Sequence, residues 1–193
     1  MLVNKTNLTI PNLLTLLRIL LIPVFVWAIL DLNFTLALIV FFIAGISDGF
    51  DGFLARRLNQ QSQLGQWLDP IADKLLLTIT CLVLTLPDKG YQPLPIWLTV
   101  AIIIRDIGIL IVALSIRHLT GFSDFKPSKP GKLNTVLLLT TVLAFLITNS
   151  IKRYTEYLIG FYWLDLVMII FSGLHYIYFV NQELIAYRQT QRG

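Results

Sequence analysis

Charge is what this chain has least of. Asp, Glu, Lys and Arg together make up 13% of its 193 residues, against roughly a quarter in an ordinary soluble domain. Hydrophobic residues reach 56%, so a surface wholly in contact with water is excluded. Cysteine is almost absent as well. A lone Cys81 cannot close an internal disulfide, and within an apolar run it reads as a buried thiol. His118 and His175 are the two histidines, far apart and without ligand spacing, so interfacial or core positions are expected for both. There is no internal repeat and no low-complexity segment. No basic stripe is interleaved with exposed aromatics, which argues against a nucleic-acid partner. A cleavable leader is not indicated either. The first apolar run contains Arg18 and lacks a small-x-small cleavage site, so it reads as a retained helix.

What the chain has instead is apolar length. Mean hydropathy is +0.75, and six apolar runs recur at roughly 12–31, 34–56, 66–86, 94–117, 133–151 and 158–180. About 20 such residues suffice to cross the hydrocarbon of a bilayer. The expectation is an all-α integral membrane protein with six transmembrane helices, forming one domain over residues 1–193 in the lipid bilayer. Pro11 suits a first helical turn, with Thr9 as its cap. An even number of spans puts both termini on one side. That side collects Lys5, Arg56, Arg57, Arg117, Lys126, Lys129, Lys132, Arg188 and Arg192, against Lys89, Lys152 and Arg153 on the other. The excess predicts that the termini, the 57–65 turn and the 118–132 loop are cytoplasmic. A net charge of +4 suits anionic headgroups and phosphorylated substrates on that face.

The exception to the scarcity of charge is "SDGFDGFLARRLNQQSQLGQWLDPIADK", residues 47–74. Asp48 and Asp51 stand one helical turn apart at the end of the second run; Asp69 and Asp73 do so at the start of the third. A short polar turn makes the two helices antiparallel neighbours, with both pairs at similar depth. Four gathered carboxylates repel one another and must take up protons, pair with bases or bind cations. Arg56 and Lys74 are too few to neutralise them. Two Mg²⁺ or Mn²⁺ ions would, and carboxylates are the hard oxygen ligands such ions prefer. Gly49, Gly52, Ala55 and Gly65 either allow close helix packing or let a bulky ligand approach the backbone. Arg56 offers a planar fork to phosphate oxygens. Together these residues suggest a diphosphate held by metal.

The pattern Asp48-x-x-Asp51-Gly52-x-x-Ala55-Arg56, eight residues, then Gly65-x-x-x-Asp69-x-x-x-Asp73 resembles the full signature of the CDP-alcohol phosphotransferase family. The six-helix pattern is similar to that family along nearly the whole chain. The resemblance implies a membrane enzyme, usually a homodimer, that moves a substituted phosphate from a CDP-linked donor to an alcohol and releases CMP. It implies Asp48, Asp51 and Asp69 as metal ligands, and Asp73 as both ligand and catalytic base. Gly52, Ala55, Arg56 and Gly65 would line the nucleotide and diphosphate site.

Two further stretches resemble one branch of the family, the phosphatidylglycerophosphate synthases and CDP-diacylglycerol-type cardiolipin synthases. "TIPNLLTLLRILLIPVF" is similar to their opening, and "KPSKPGKLNT" to the Gly-Lys-x-x-Thr stretch before their fifth helix. The branch implies CDP-diacylglycerol as donor, with Arg105 and Lys132 near the acceptor phosphate. A cation inside the fourth span is costly unless it serves a function. The bland reading is a carboxylate pair, but the neighbouring Asp106 is expected to point elsewhere on the helix. The synthases often have Arg-Glu where this chain has Arg105-Asp106, as cardiolipin synthases do, and Asn134 replaces a lysine common in the synthases. Glycerol 3-phosphate is the favoured acceptor; phosphatidylglycerol is the alternative. Asn12, Thr15 and Arg18 form a polar stripe in the first helix, open between packing against the aspartate helices and nucleotide contact. Trp67, Trp97 and Trp163 read as interface anchors. Asp165 reads as a dimer or helix-pairing contact.

The rival class is an ion- or proton-coupled transporter. It predicts acids near the bilayer midplane and broken helices in a repeat, whereas these acids lie near one face and no repeat is visible.

Overall fold

The computed structural model describes residues 10–57, 63–86, 91–120, 129–151 and 155–190. Within those helices, the side chains of 10–12, 48–57, 63–71, 73, 117, 119–120, 155, 183–184 and 186–190 lie outside the described set. The described residues form six α-helices: α1 (Ile10–Leu30), α2 (Phe34–Arg57), α3 (Gln63–Thr85), α4 (Ile96–Thr120), α5 (Lys129–Ile151) and α6 (Leu158–Thr190). A short 3₁₀ turn, Thr155–Tyr157, leads into α6. This is the all-helical architecture the six apolar runs predict.

Among the described residues, four helices are long and apolar enough to cross a membrane, with spans Leu13–Leu30, Ile96–Ile116, Lys129–Ile151 and Leu158–Gln182. The described parts of α2 and α3 contain the apolar stretches Phe34–Ser47 and Lys74–Thr85, and the motif aspartates of both helices lie beyond them.

Packing divides the chain into two compact units, Met1–Leu94 with Phe145–Arg153, and Pro95–Ala144 with Tyr154–Gly193. In the first unit α1 packs against both α2 and α3. Phe25, Ala28 and Ile29 of α1 are buried with Ala37, Val40, Phe41 and Ala44 of α2. The small residues let the helix backbones come close, as membrane helix pairs require. A tight turn joins the two helices. Asn33 donates its amide to the Ala28 carbonyl at 2.8 Å, and its side-chain Oδ1 accepts from the Leu36 amide at 3.0 Å, capping α2. Leu32 sits in the left-handed region at φ 56°, an unfavourable conformation for a branched side chain that the surrounding hydrogen bonds hold in place. Phe34, Tyr91 and Phe145 form an edge-to-face aromatic cluster beside that turn, with centroids 5.1–6.5 Å apart. Thr35 and Ser150 share a hydrogen bond of 2.7 Å.

In the second unit α4 packs against α6, and Trp97 stacks on Trp163 at 5.2 Å. Both indoles remain more than a third exposed. Hydroxyls along the spans bond back to their own helices. Ser47 donates to the Ile43 carbonyl, Thr85 to Cys81, Thr140 to Val136 and Ser172 to Ile169, so no lipid-facing partner is needed. Cys81 is buried, as its apolar run predicts.

Candidate active site on two aspartate helices

The local sequence explains why the motif is helical. Asp48, Asp51, Gly52, Ala55 and Arg56 continue α2 without a break to Arg57, and Gly65, Asp69 and Asp73 lie in the first half of α3. Both halves of the motif therefore ride on regular helices that pack against the common helix α1. Their side chains fall outside the described set, and so does the short connection at 58–62. Among the described side chains, no group of three or more His, Cys, Asp or Glu comes together.

Spacing places the aspartates in register with the packed faces. On α2 the buried positions run Ala37, Val40, Phe41, Ala44, Ser47, and the same three- and four-residue steps reach Asp48 and Asp51 next. On α3 the buried positions run back from Leu84 through Cys81, Thr80, Leu76 and Ala72, and the same steps reach Asp73 and Asp69.

The polar stripe of α1 is where structure adds most. Thr15 and Arg18 have no exposed surface, and they sit on the helix that packs against both aspartate helices. Sequence left their role open between packing and ligand contact; burial of a full arginine was not readable from spacing alone. The Asn12 side chain lies outside the described set.

Arg105 and Lys132 belong to the second unit. Arg105 Nη1 donates to Asp106 Oδ1 at 2.7 Å, with side-chain exposures of 15% and 24%. This overturns the expectation that adjacent residues on a helix point apart. The guanidinium arm is long enough to fold round to its neighbour, and a half-buried carboxylate is a strong attraction in an apolar setting. The pair leaves one edge of the fork unused: among the described residues, buried Nε has no hydrogen-bond partner. Arg105 lines an apolar groove of about 400 Å³ between α4 and α6, together with Ala101, Gly108, Gly173 and Tyr176. Lys132 is exposed in the first turn of α5. Its Gly-Lys-x-x-Thr stretch is closed by Thr135 donating to the Gly131 carbonyl at 3.2 Å. Asn134 is buried at 5% exposure, a place where a lysine would bury its charge. Asp165 is buried at 1% exposure within its own unit, which favours a helix-pairing role over a dimer contact. His118 is exposed and His175 half-buried.

The chain is similar to known proteins along most of its length. Residues 8–173 match the CDP-alcohol phosphatidyltransferase family. The cardiolipin synthase (CMP-forming) of Rattus norvegicus is 39% identical over 154 residues, covering 72% of this chain and 50% of that protein. That of Streptomyces coelicolor is 36% identical over 149 residues, covering 74% and 67%. The CDP-diacylglycerol–glycerol-3-phosphate 3-phosphatidyltransferase of Blochmanniella floridana is 35% identical over 193 residues, covering 93% and 94%. The chain thus spans about half the length of the mammalian relatives it matches, and nearly all of the Blochmanniella one. A complete motif carried on two helices of an all-helical, apolar chain, with similarity along most of its length, places this protein in the CDP-alcohol phosphatidyltransferase family.

Proposed function

We propose that the 193 residues form one catalytic membrane domain that transfers the phosphatidyl group of CDP-diacylglycerol to an alcohol and releases CMP. The observation that carries this reading is the complete aspartate motif, divided between two helices that pack on one partner helix. The names of the relatives support the donor. Four carboxylates form a donor set that fits hard divalent cations, and two Mg²⁺ or Mn²⁺ ions would balance their charge. Asp48, Asp51, Asp69 and Asp73 would hold these ions, whose chemistry is to neutralise the diphosphate and polarise oxygen.

The remaining work falls to the chain itself. Gly52, Ala55 and Gly65 leave room for the nucleotide and diphosphate beside the helix backbones. Arg56 offers parallel N–H donors to phosphate oxygens. The acceptor hydroxyl oxygen forms a bond to the phosphatidyl phosphorus, and the bond from that phosphorus to the CMP oxygen breaks. The hydroxyl proton goes to Asp73. A carboxylate is a weak base in water, so orientation in a site of low dielectric must supply its effectiveness. Arg105 and Lys132 bind the acceptor phosphate. The enzyme works as a homodimer, with its termini and active site at the cytoplasmic face of a bacterial-type inner membrane.

Glycerol 3-phosphate is the acceptor this reading favours, because the match to a glycerol-3-phosphate phosphatidyltransferase runs nearly end to end. Phosphatidylglycerol is the second reading, favoured by the Arg105-Asp106 pair and the identity to cardiolipin synthases. The test is an acceptor screen with labelled CDP-diacylglycerol, purified protein and Mn²⁺. CMP release with one acceptor and identification of the lipid product decide between them. No CMP release with either refutes the phosphatidyltransferase reading.

A further inference from the structure

Arg18 has no exposed surface although it lies within an apolar span. A guanidinium keeps its charge at any physiological pH. Buried without an anion it would strongly destabilise the fold, so its placement needs a negative neighbour. The helix that carries it packs against α2 and α3, which between them hold all four motif aspartates.

Register can be fixed for the pair α1 and α2. The rings of Phe25 on α1 and Phe41 on α2 lie 5.9 Å apart, and the tight turn at residues 31–33 makes the two helices antiparallel. Seven residues back from Phe25 is Arg18; seven on from Phe41 is Asp48. Each step climbs about 10 Å in the same direction away from the turn. Arg18 and Asp48 therefore stand level on facing helices. Thr15, also wholly buried, is one turn beyond Arg18 on the same face. Ser47, next to Asp48, is itself buried at 6% exposure, so the packed face of α2 extends to this level.

We propose that Arg18 is a positioning residue whose guanidinium holds the carboxylate of Asp48. This rests on the reading of Asp48 as a metal ligand. A carboxylate has about four lone-pair sites, so Asp48 can accept from Arg18 and still face a divalent cation. Groups that hydrogen-bond a metal ligand fix its orientation and tune affinity. Arg18 also offsets part of the repulsion among four carboxylates when the cations leave.

The test uses the full-length protein in detergent. Arg18→Met keeps the side-chain bulk and removes the charge. Mn²⁺ titration followed by the EPR signal of the free ion should show affinity weakened about 10- to 100-fold, with Arg18→Lys recovering part of it. Unchanged Mn²⁺ affinity in Arg18→Met, with a raised KM for CDP-diacylglycerol, would assign Arg18 to the substrate diphosphate and overturn the proposal.

A double-mutant cycle with Asp48→Asn, read as the thermal midpoint in excess chelator, tests the pairing without metal. The double variant should be less destabilised than the sum of the singles, because neither charge is then left buried alone. Additive losses overturn the pairing. If Arg18→Met alone does not fold, a folded Arg18→Met/Asp48→Asn protein supports the pairing, and a double variant that also fails to fold overturns it. Wild-type protein that binds no Mn²⁺ would sink the metal reading, while the cycle would still report on the pairing.

Discussion

Replacing Arg105 by alanine separates two roles for a half-buried cation in an apolar helix. Arg105 stands nine residues into α4, counted from Ile96, about 14 Å along the helix. One edge of its fork is taken by Asp106 at 2.7 Å, and Nε is buried without a partner among the described residues. If that free edge receives the acceptor phosphate, Arg105→Ala removes one charge-assisted hydrogen bond, a loss of about 1.5–3 kcal/mol. That corresponds to a rise of about 10- to 150-fold in acceptor KM. Because the contact exists before and during phosphoryl transfer, kcat should change much less. The assay is initial-rate CMP release, with the acceptor varied at saturating CDP-diacylglycerol and then the reverse. Asp106→Asn keeps an acceptor for Nη1 and removes the charge, so it should raise acceptor KM less than Arg105→Ala does. A rise confined to donor KM, or no kinetic change beside a lowered thermal midpoint, would leave the Arg105–Asp106 pair as structural support only.

Excess chelator should abolish turnover, and added Mg²⁺ or Mn²⁺ should restore it; full activity in chelator removes metal from the mechanism. Asp73→Asn should still bind CDP-diacylglycerol while kcat falls about 10²- to 10⁴-fold, as measured by equilibrium binding and single-turnover rates. A near wild-type kcat would pass the base role to another group. Lys132→Ala, at an exposed position in the first turn of α5, should raise acceptor KM without lowering the thermal midpoint. Phe145→Ala empties the centre of the Phe34–Tyr91–Phe145 cluster and should destabilise the protein by about 3 kcal/mol or more, seen as an earlier midpoint in a thermal melt.

Helix positions were readable because a membrane helix announces itself by unbroken apolar length. The run at 34–56 became Phe34–Arg57, and that at 133–151 became Lys129–Ile151. The end of α6 was not readable this way. Its apolar run stops near residue 180, but Gln, Glu, Leu, Ala and Arg beyond it are good helix formers, and the helix continues to Thr190. The four aspartates stood out in the sequence because carboxylates are rare in such a chain, whereas the roles of Gly52, Ala55, Arg56 and Gly65 rest on the family resemblance. Which helix packs between partners was not. Spans that are apolar on every side carry little periodic signal to mark the inward face, so the burial of Thr15, Arg18 and Asp165 emerged only in three dimensions. The Arg105–Asp106 pair was misread because neighbouring helical positions diverge at Cβ, while a long guanidinium arm is free to return.

The Asp31–Asn33 turn has a consequence for how the gene can change. Amide bonds to Ala28 and Ile29, a side-chain cap and one left-handed residue leave the turn no slack. Each residue inserted between Asn33 and Asp48 would swing everything beyond it by about 100° and lift it by 1.5 Å. Apolar substitutions along this stretch can be absorbed by repacking, but insertions and deletions cannot. The first hairpin should therefore tolerate drift in composition while holding its length fixed.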